Sequence, residues 1–515
     1  MPAPTAFPEL KDLGQTEWQP KHLTFDQSVL GLFRLDNPQG GDNDARYKAT
    51  TRNLQRLMGE AIAAGVRVRL YGGKWSMSRV AATNGWLIGT NTLNLLFHLR
   101  ERSIRPDYEG DREALWLAQG GCSIAGLSRQ LAPFGQSLPA CGASNGQTIA
   151  GAIATGTHGS AVRFGGIQEA VRGLHLVVSP TRTVWLVPET GTATTDGFAA
   201  QLEAELVRSD ELFHAALVGF GSMGFVQGVL LQARRIFTLR SFRRRLAYDG
   251  AFRQAIGSFD LAALPMPTPA GAATSANDLF HYSVVVDPYH PEQGVFVTAM
   301  FEQPCGPGSV PPNPGGIAPG EELYGTLGKL LDLLPDVIPA AVSGLVAMDQ
   351  KDHTDVCGTL DQQFSATETR GKAAGVGVSV ATADAIRVLE LLLEINRAHG
   401  PFPCVLAMRF VPGTRATLGF TRFPRTCVLD IDGPYSTRTR SYFARIWQAL
   451  ADSGIEYGLH WGKVIGLSAV EMRRLYGDRV DRWIAARRAL LPDPAVREAL
   501  RNAFLDEVGL SSVSA

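Results

Sequence analysis

Three glycine-dense stretches and one pair of alternating carboxylates carry the chemistry legible in this 515-residue sequence. The first stretch, Tyr71-Gly72-Gly73-Lys74-Trp75-Ser76-Met77-Ser78, continues straight from the short strand-like segment 66–71. Successive backbone N–H groups in a tight glycine turn form a concavity that binds anions, and only glycine lets the chain approach a phosphate so closely. The turn is neither a GxGxxG nor a P-loop signature, so alone it reads equally well as a hairpin turn. The second stretch, 141–166, interleaves Thr148, Thr155, Thr157, His158 and Ser160 with glycine and alanine. Such sequence cannot build its own apolar core, but it can wrap amides and hydroxyls around a large polar ligand. A small-residue helix packed on a sheet accounts for Ala150–Ala154 but not for Thr155–Ser160. The third stretch, Gly219–Val226, has glycines at positions one, three and six of a dinucleotide fingerprint. It leads into strand-like sequence rather than a helix, which disfavours a nicotinamide dehydrogenase. Asp430 and Asp432 alternate onto one face of a strand. There one carboxylate can raise the pKa of the other and make it a base. Equally, the pair faces solvent or bridges to Arg409, Arg422 or Arg425.

The elements that must position these residues are mixed. Residues 45–65 have helical spacing and end at Gly65; 66–71 and 114–121 read as strands, and 122–135 as a helix. Residues 173–179 and 183–188 alternate as a hairpin, and 211–240 reads as helix, glycine turn and long strand. Further strands are expected at 281–288, 294–303, 404–412 and 426–434, with helices at 324–346, 382–398 and 438–453. The stretch 305–320 is a Pro/Gly-rich surface loop, and the tail 468–507 is helical and Arg-rich. Without regular βαβ alternation, the pattern implies an α+β fold.

Composition narrows the class. A single core rarely exceeds roughly 250–300 residues, so two domains are expected. Lys+Arg and Asp+Glu both number 49, which argues against a nucleic-acid partner, since such proteins carry a basic excess. No apolar run reaches the ~18–20 residues of a membrane span, and the N-terminus lacks the pattern of a secretory signal. The six cysteines are scattered without metal-ligand spacing. No metal site and no disulfide framework are therefore expected, and a reducing cytoplasm is the default. The 55 glycines exceed the usual ~7% and are clustered.

The three glycine stretches, in this order and spacing, resemble the FAD-binding, PCMH-type domain of the vanillyl-alcohol oxidase superfamily. Thr148–Ser160 together with the later His460-Trp461-Gly462-Lys463 is most similar to the aldonolactone, alditol and flavin-type cholesterol oxidases. The resemblance covers about 25–240 and 400–465. It implies an FAD-binding domain of two subdomains at 25–240. A substrate-binding α+β domain with an antiparallel sheet follows at 241–450, and a C-terminal segment, 451–515, returns to the flavin site. By the same resemblance, Gly72, Gly73, Lys74, Trp75, Ser76 and Met77 hold the pyrophosphate. Gly142, Ala143, Ser144, Gln147, Thr148, Gly151, Thr155, His158, Gly159 and Ser160 line the flavin and its ribityl chain, and Gly224 and Val226 lie near the adenosine. His460 and Lys463 face the ring and substrate, where a cation stabilises the charge gained on reduction.

Two departures matter. Many relatives carry a histidine, bonded covalently to the flavin, where this sequence has Trp75, so FAD is expected to be held non-covalently. A cysteinyl link through Cys141 is the minor alternative to a buried spectator thiol. The oxidases of this branch also place Glu-x-Arg on a strand beside the flavin, where this sequence reads Ala407-Met408-Arg409. Arg409 can stabilise an oxyanion but is a poor base. Another group must then take the hydroxyl proton if an alcohol is oxidised, and Asp430 and Asp432 are the candidates. Among other histidines, His98, His175 and His214 read as packed or surface residues, and His281 and His290 as candidates for a pocket role. The implied function is oxidation of an alcohol or lactone-type CH–OH donor, a small molecule, by hydride transfer to the flavin, with dioxygen a candidate acceptor. The missing glutamate keeps two alternatives open: an amine or phenol donor, or a flavin-binding carrier, sensor or assembly partner without turnover. The sequence leaves oligomeric state open.

Overall fold

Within residues 43–63, apolar and small side chains recur every third or fourth position, and Tyr47, Leu54, Leu57, Met58 and Ala61 are buried along one face of helix α1, Asn43–Ala63. Asp42 caps it, its carboxylate accepting the Ala45 N–H, which satisfies one of the free donors of the first turn. The computed structural model describes residues 3–269, 278–312, 331–368 and 371–511.

Helix α1 stands between two sheets. The first contains β1 (Leu10–Asp12), β2 (Gly31–Leu35), β3 (Val68–Tyr71) and β4 (Trp86–Gly89) in the order β1-β2-β4-β3, with β2 and β3 parallel to β4. The second has six strands: β5 (Leu96–His98), β6 (Leu115–Gln119), β7 (Val171–Val177), β8 (Thr183–Val187), β9 (Glu205–Arg208) and β10 (Phe225–Gln232). Their order is β9-β8-β7-β10-β6-β5, and β7–β8 is the antiparallel hairpin expected from the alternation. The helices of this region include α2 (Ile124–Leu131), α3 (Ile149–Ala154) and α4 (Asp210–Leu217).

From Thr238 onward the chain builds an eight-stranded sheet. Its strands are β11 (Thr238–Leu246), β12 (Leu279–Val286), β13 (Val295–Glu302), β14 (His353–Thr359), β15 (Ala373–Ala381), β16 (Val405–Pro412), β17 (Arg425–Pro434) and β18 (Gly458–Leu459). They lie in the order β14-β11-β13-β12-β16-β17-β15-β18, antiparallel throughout. Helix α5 (Ile338–Asp349) sets Ile338, Val342 and Val346 against Phe296, with Val285 and Val405 at the margin. Helices α6 (Thr382–His399) and α7 (Thr437–Asp452) pack against each other, α6 also against β15 and β17. The mixed α+β class with an antiparallel sheet is as the sequence implies.

The tail forms helices α8 (Ala469–Tyr476), α9 (Asp478–Leu490), α10 (Pro494–Ala499) and α11 (Ala503–Glu507). Buried side chains tie it to the glycine turn at 219–224. Trp483 donates to Val218 O at 3.1 Å and Arg487 to Ser222 O at 3.1 Å. Arg69 donates to Leu500 O, Val80 O and Phe220 O. Backbone carbonyls thus absorb two buried guanidiniums and fix the turn from behind.

Three expectations need correction or delimiting. Cys305 and Cys357 form a disulfide across 52 residues, although the scattered cysteines suggested none. The sheet brings the start of the Pro/Gly-rich segment onto edge strand β14, where Val310 bridges Val356. The glycine-rich strand β15 and strand β14 were not expected from the sequence. The expected loop 305–320 and helix 324–346 fall partly on 313–330, outside the described residues. Among the described residues no helix is long and apolar enough to cross a membrane.

Candidate active site

Strand β3 ends at Tyr71 and leads into Gly72-Gly73, and the chain turns through Lys74 at φ 62°. A Cβ at Gly72 would stand 2.0 Å from Thr148 Oγ1, and one at Gly73 would stand 2.4 Å from Gly146 O. The first two glycine stretches are therefore pressed together, and only glycine permits that approach. In the third stretch Gly224, at φ 109°, presses on the end of β7, where a Cβ would meet Val177 O at 2.7 Å. Together they wall a cavity of about 500 Å³.

Of the residues implied to hold the cofactor, Gly72, Gly73, Lys74, Trp75, Ser76, Met77, Gly142, Ala143, Ser144, Gln147 and Thr148 line this cavity. So do Gly151, Thr155, His158, Gly224, Val226, His460 and Lys463. Gly159 and Ser160 do not. Gly159 lies against Cys141 O, and buried Ser160 donates to Tyr282 O and accepts from Phe410 N at 2.7 Å. Ser160 thus stitches the loop to β12 and β16 instead of facing a ligand. Cys141 is buried outside the cavity lining, its thiol pushed up to about 12 by burial.

The cavity wall also holds orphaned polar atoms. Trp75 Nε1, Gln147 Oε1 and His22 Nδ1 are buried with no hydrogen-bond partner in the protein. Leaving such a group unpaired costs about 1–3 kcal/mol, so a polar ligand belongs among them. A flavin dinucleotide, with its phosphates and polar ring edge, fits this set.

The opposite wall is charged. In the β16–β17 ladder Ala407 pairs with Asp430 and Val405 with Asp432. Lys463 Nζ donates to Asp430 Oδ1 at 2.9 Å and to Asp432 Oδ1 at 2.6 Å, and Arg409 stands 3.2 Å from Asp430 Oδ2. The pair therefore selects Arg409 and Lys463, not Arg422 or Arg425. Arg422 pairs with Glu456. Strand β15 makes room: a Cβ at Gly375 would stand 1.9 Å from Asp432 Oδ1, and one at Gly377 3.1 Å from Asp430 Oδ1. The His460–Lys463 turn hangs on this strand through His460 N to Gly377 O and Val464 N to Gly375 O, each 2.9 Å.

Electrostatics separates the two carboxyls. Burial would raise Asp430, but Arg409, Lys463 and His158 together hold it well below the ordinary carboxylate value. Asp430 is fully buried and lies behind the cavity surface. Asp432 lines the cavity, its side chain 43% open toward it. Enclosure by the protein raises its pKa and neighbouring Asp430 adds to this, outweighing the pull of Lys463. For Lys463, burial would lower the pKa, yet Asp430 and Asp432 raise it, so it stays an ammonium.

Two neutral histidines complete the wall. Burial lowers His158 to about 4. Its Nδ1 faces Gly159 O at 2.8 Å, and a carbonyl only accepts, so Nδ1 carries the proton. His460, lowered by burial, His158 and Lys463, accepts the Gly462 N–H at Nδ1, 3.0 Å away, so its proton is on Nε2. The two rings are 5.4 Å apart with opposite tautomers. His281 bonds Ser283 outside the cavity lining, and His290 is exposed beside Glu292.

Sequence reasoning missed His22, on the segment before β2. It lies 5.8 Å from the Trp75 ring and is lowered to about 4 by burial and by Lys463 and Lys21. It also missed Val285, Leu345, Val346, Asp349 and Gln350, which line the far part of the cavity. A lone histidine in a segment without periodicity gives no signal.

The fold and this cradle define a flavin dinucleotide site. Residues 47–186 match the family described as FAD binding domain, and the cofactor is FAD. The chain is 28% identical over 186 residues to a putative D-arabinono-1,4-lactone oxidase of Neurospora crassa, covering 36% of this chain and 28% of that protein. It is 27% identical over 192 residues to an L-gulono-1,4-lactone dehydrogenase of Mycobacterium tuberculosis, covering 37% of this chain and 38% of that one. The matches thus span between about a quarter and two fifths of these relatives. Across nearly the whole chain the fold is that of cholesterol oxidase from Brevibacterium sterolicum, with a TM-score of 0.67 at 15% identity over 98% of this chain and 99% of that one. A chitooligosaccharide oxidase shares it at a TM-score of 0.60, 12% identity and 94% of each chain. The PCMH-type FAD-binding architecture implied by the glycine stretches is therefore present.

Proposed function

We propose that the chain is an FAD-dependent oxidoreductase acting on an alcohol or lactone-type CH–OH donor. The observation that carries this reading is the Arg409–Asp430–Lys463–Asp432 cluster on one wall of a cavity whose other wall is the glycine-built dinucleotide cradle. Residues 72–77 hold the pyrophosphate, 142–158 the ring and ribityl chain, and Gly224 and Val226 the adenosine side. Trp75 in the place of a linking histidine, and Cys141 outside the cavity lining, support non-covalent binding. Bound FAD supplies a two-electron acceptor for hydride from the donor carbon, discharged to dioxygen or another acceptor.

The chain's own residues do the rest. Arg409 holds the donor oxygen and stabilises the negative charge that develops as its proton leaves. Asp432, open to the cavity and made more basic by enclosure, accepts that proton. Asp430 stays ionised behind them and orients both Arg409 and Lys463. Lys463 keeps a positive charge beside the ring site, and His460 presents its Nε2–H from the same turn.

The division into 25–240, 241–450 and 451–515 belongs to this proposal. It is supported by the switch of sheets at Thr238 and by the tail's bonds to Val218 and Ser222. The Cys305–Cys357 bridge favours a compartment where disulfides persist over the reducing cytoplasm suggested by the cysteine pattern.

The test is anaerobic. FAD-loaded protein is mixed with alcohols and aldonolactones and its flavin absorbance followed. Bleaching by a CH–OH donor supports the reading. A flavin that dithionite reduces but no donor bleaches supports a binding protein without turnover. Acid precipitation of the same sample releases the flavin to the supernatant if it is non-covalent.

A further inference from the structure

We infer that the donor is an alcohol with an apolar body, a hydrocarbon chain or ring, and not a polyhydroxylated sugar or lactone. The inference rests on the oxidation reading above and names the substrate class of that site.

Beyond the Lys463 cluster the cavity floor is the eight-stranded sheet. Val405, Ala407 and Arg409 alternate onto one face of β16, and Val285 of β12 pairs opposite Ala407. Leu345 and Val346 of α5 also line this part, Val346 belonging to the apolar cluster that Val285 and Val405 pack against. Floor and roof are thus Val, Ala and Leu. Among the described residues, the polar side chains here are Arg409 and Asp432 at the reacting end and Asp349 and Gln350 at the last turn of α5. The last two share one bond, Gln350 Nε2 donating to Asp349 Oδ2 at 2.5 Å.

Ala407 is the telling position. A carboxylate there would interrupt the floor between Val405 and Arg409. The alanine carries apolar surface up to the guanidinium, and the charge sits one strand away at Asp430. A polyol bound here would bury hydroxyls against Val285, Leu345, Val346 and Val405, and each unpaired hydroxyl lowers affinity roughly tenfold. A hydrocarbon gains roughly fourfold for each methylene buried on the same surface.

The experiment uses FAD-loaded protein and straight-chain primary alcohols from butanol to octanol, with glucitol and gulonolactone beside them. Two quantities are read: kcat/KM from anaerobic flavin bleaching, and Kd from the visible-spectrum perturbation caused by tertiary alcohols of the same chain lengths. Tertiary alcohols have no carbinol hydrogen to give, so they report binding alone. Both quantities should improve about fourfold per methylene, and Val405→Asn should flatten that dependence. A Kd that falls with chain length while nothing bleaches leaves the apolar site standing and sinks the oxidation reading. A Kd independent of chain length, tighter binding of glucitol than of octanol, or an unchanged slope in Val405→Asn overturns the inference whatever the turnover.

Discussion

Asp430 stands directly across the β16–β17 ladder from Ala407, and from there its carboxylate reaches both Arg409, at 3.2 Å, and Lys463, at 2.9 Å. The counter-charge absent from the arginine's own strand is supplied by the neighbouring one. Because Asp430 is fully buried, Asp430→Asn leaves two cations with only Asp432. Breaking a buried pair from one side costs about 3–5 kcal/mol, so a loss near the lower figure is expected in denaturant unfolding at neutral pH. Ala407→Glu in the same background returns a carboxylate to the arginine's strand and should recover part of it. The lowered pKa of Asp430 fixes the pH sense. Its stabilisation is present above the ordinary carboxylate pKa and is lost only as pH falls through the depressed folded value. A variant within about 1 kcal/mol of wild type would show the pair to be energetically idle.

Asp432 carries the opposite sign. Enclosure raises it above the ordinary value of 3.8, so its contribution to stability is present in acid and is lost as pH rises through the folded pKa. Asp432→Asn should therefore not destabilise the protein at neutral pH, unlike Asp430→Asn. Its effect should appear in kinetics. A base must be ionised, so kcat/KM falls as pH drops through the raised pKa, placing the acid limb above 3.8. Asp432→Asn should lower kcat by a factor on the order of 10²–10³ and remove that limb. A limb that persists in the variant assigns the proton to another group.

The contact between the first two glycine stretches makes a third expectation. A Cβ on Gly73 would lie 2.4 Å from Gly146 O and 2.8 Å from the Trp75 ring, and the carbonyl is backbone that cannot swing aside as a side chain can. Gly73→Ala must part the two loops that present amides to the dinucleotide. Overpacking of this kind costs about 1–3 kcal/mol, which corresponds to roughly a tenfold or greater loss of FAD affinity. Fluorescence titration of flavin into cofactor-stripped protein measures it. Unchanged affinity would mean that the cofactor does not depend on this contact.

What the sequence revealed follows from which constraints are local. A turn that must admit a phosphate demands glycine at the turn itself, so Gly72, Gly73 and Gly224 announce the cradle. The alternation of Asp430 and Asp432 likewise gives a shared strand face. Their partners are not local. Lys463 reaches them only because β15 threads between β17 and the His460 turn, and β15 can lie there only because Gly375 and Gly377 leave space for the carboxylates. Glycine is a poor strand former, so the residues that make the site possible hid the strand that carries them. His22 was hidden differently. It enters the cavity from a segment outside the matched 47–186 region, where one imidazole has no pattern to belong to.

The disulfide was equally invisible, because two cysteines separated by 52 residues have no spacing signature. It ties exposed Cys305 to Cys357 on edge strand β14, next to the Arg240–Asp355 ion pair at 2.5 Å. Beyond β14 the chain runs through the 364–368 segment, which accepts two bonds from Asn145: its N–H to Ala366 O at 2.8 Å and its side chain to Phe364 O at 2.5 Å. The bridge thus anchors the edge from which a support of the second glycine stretch is hung. Closing a loop of this length restricts the unfolded chain by about 4 kcal/mol in the chain-entropy account, an upper figure for what Cys357→Ser or reduction removes. A fall in thermal midpoint of several degrees is expected, with a weaker FAD complex because Asn145 loses a fixed partner. The thermal midpoint and FAD Kd, measured with and without reductant on wild type and on Cys357→Ser, check both effects. If stability falls while FAD affinity holds, the bridge secures the sheet edge alone and the 364–368 segment keeps its place without it.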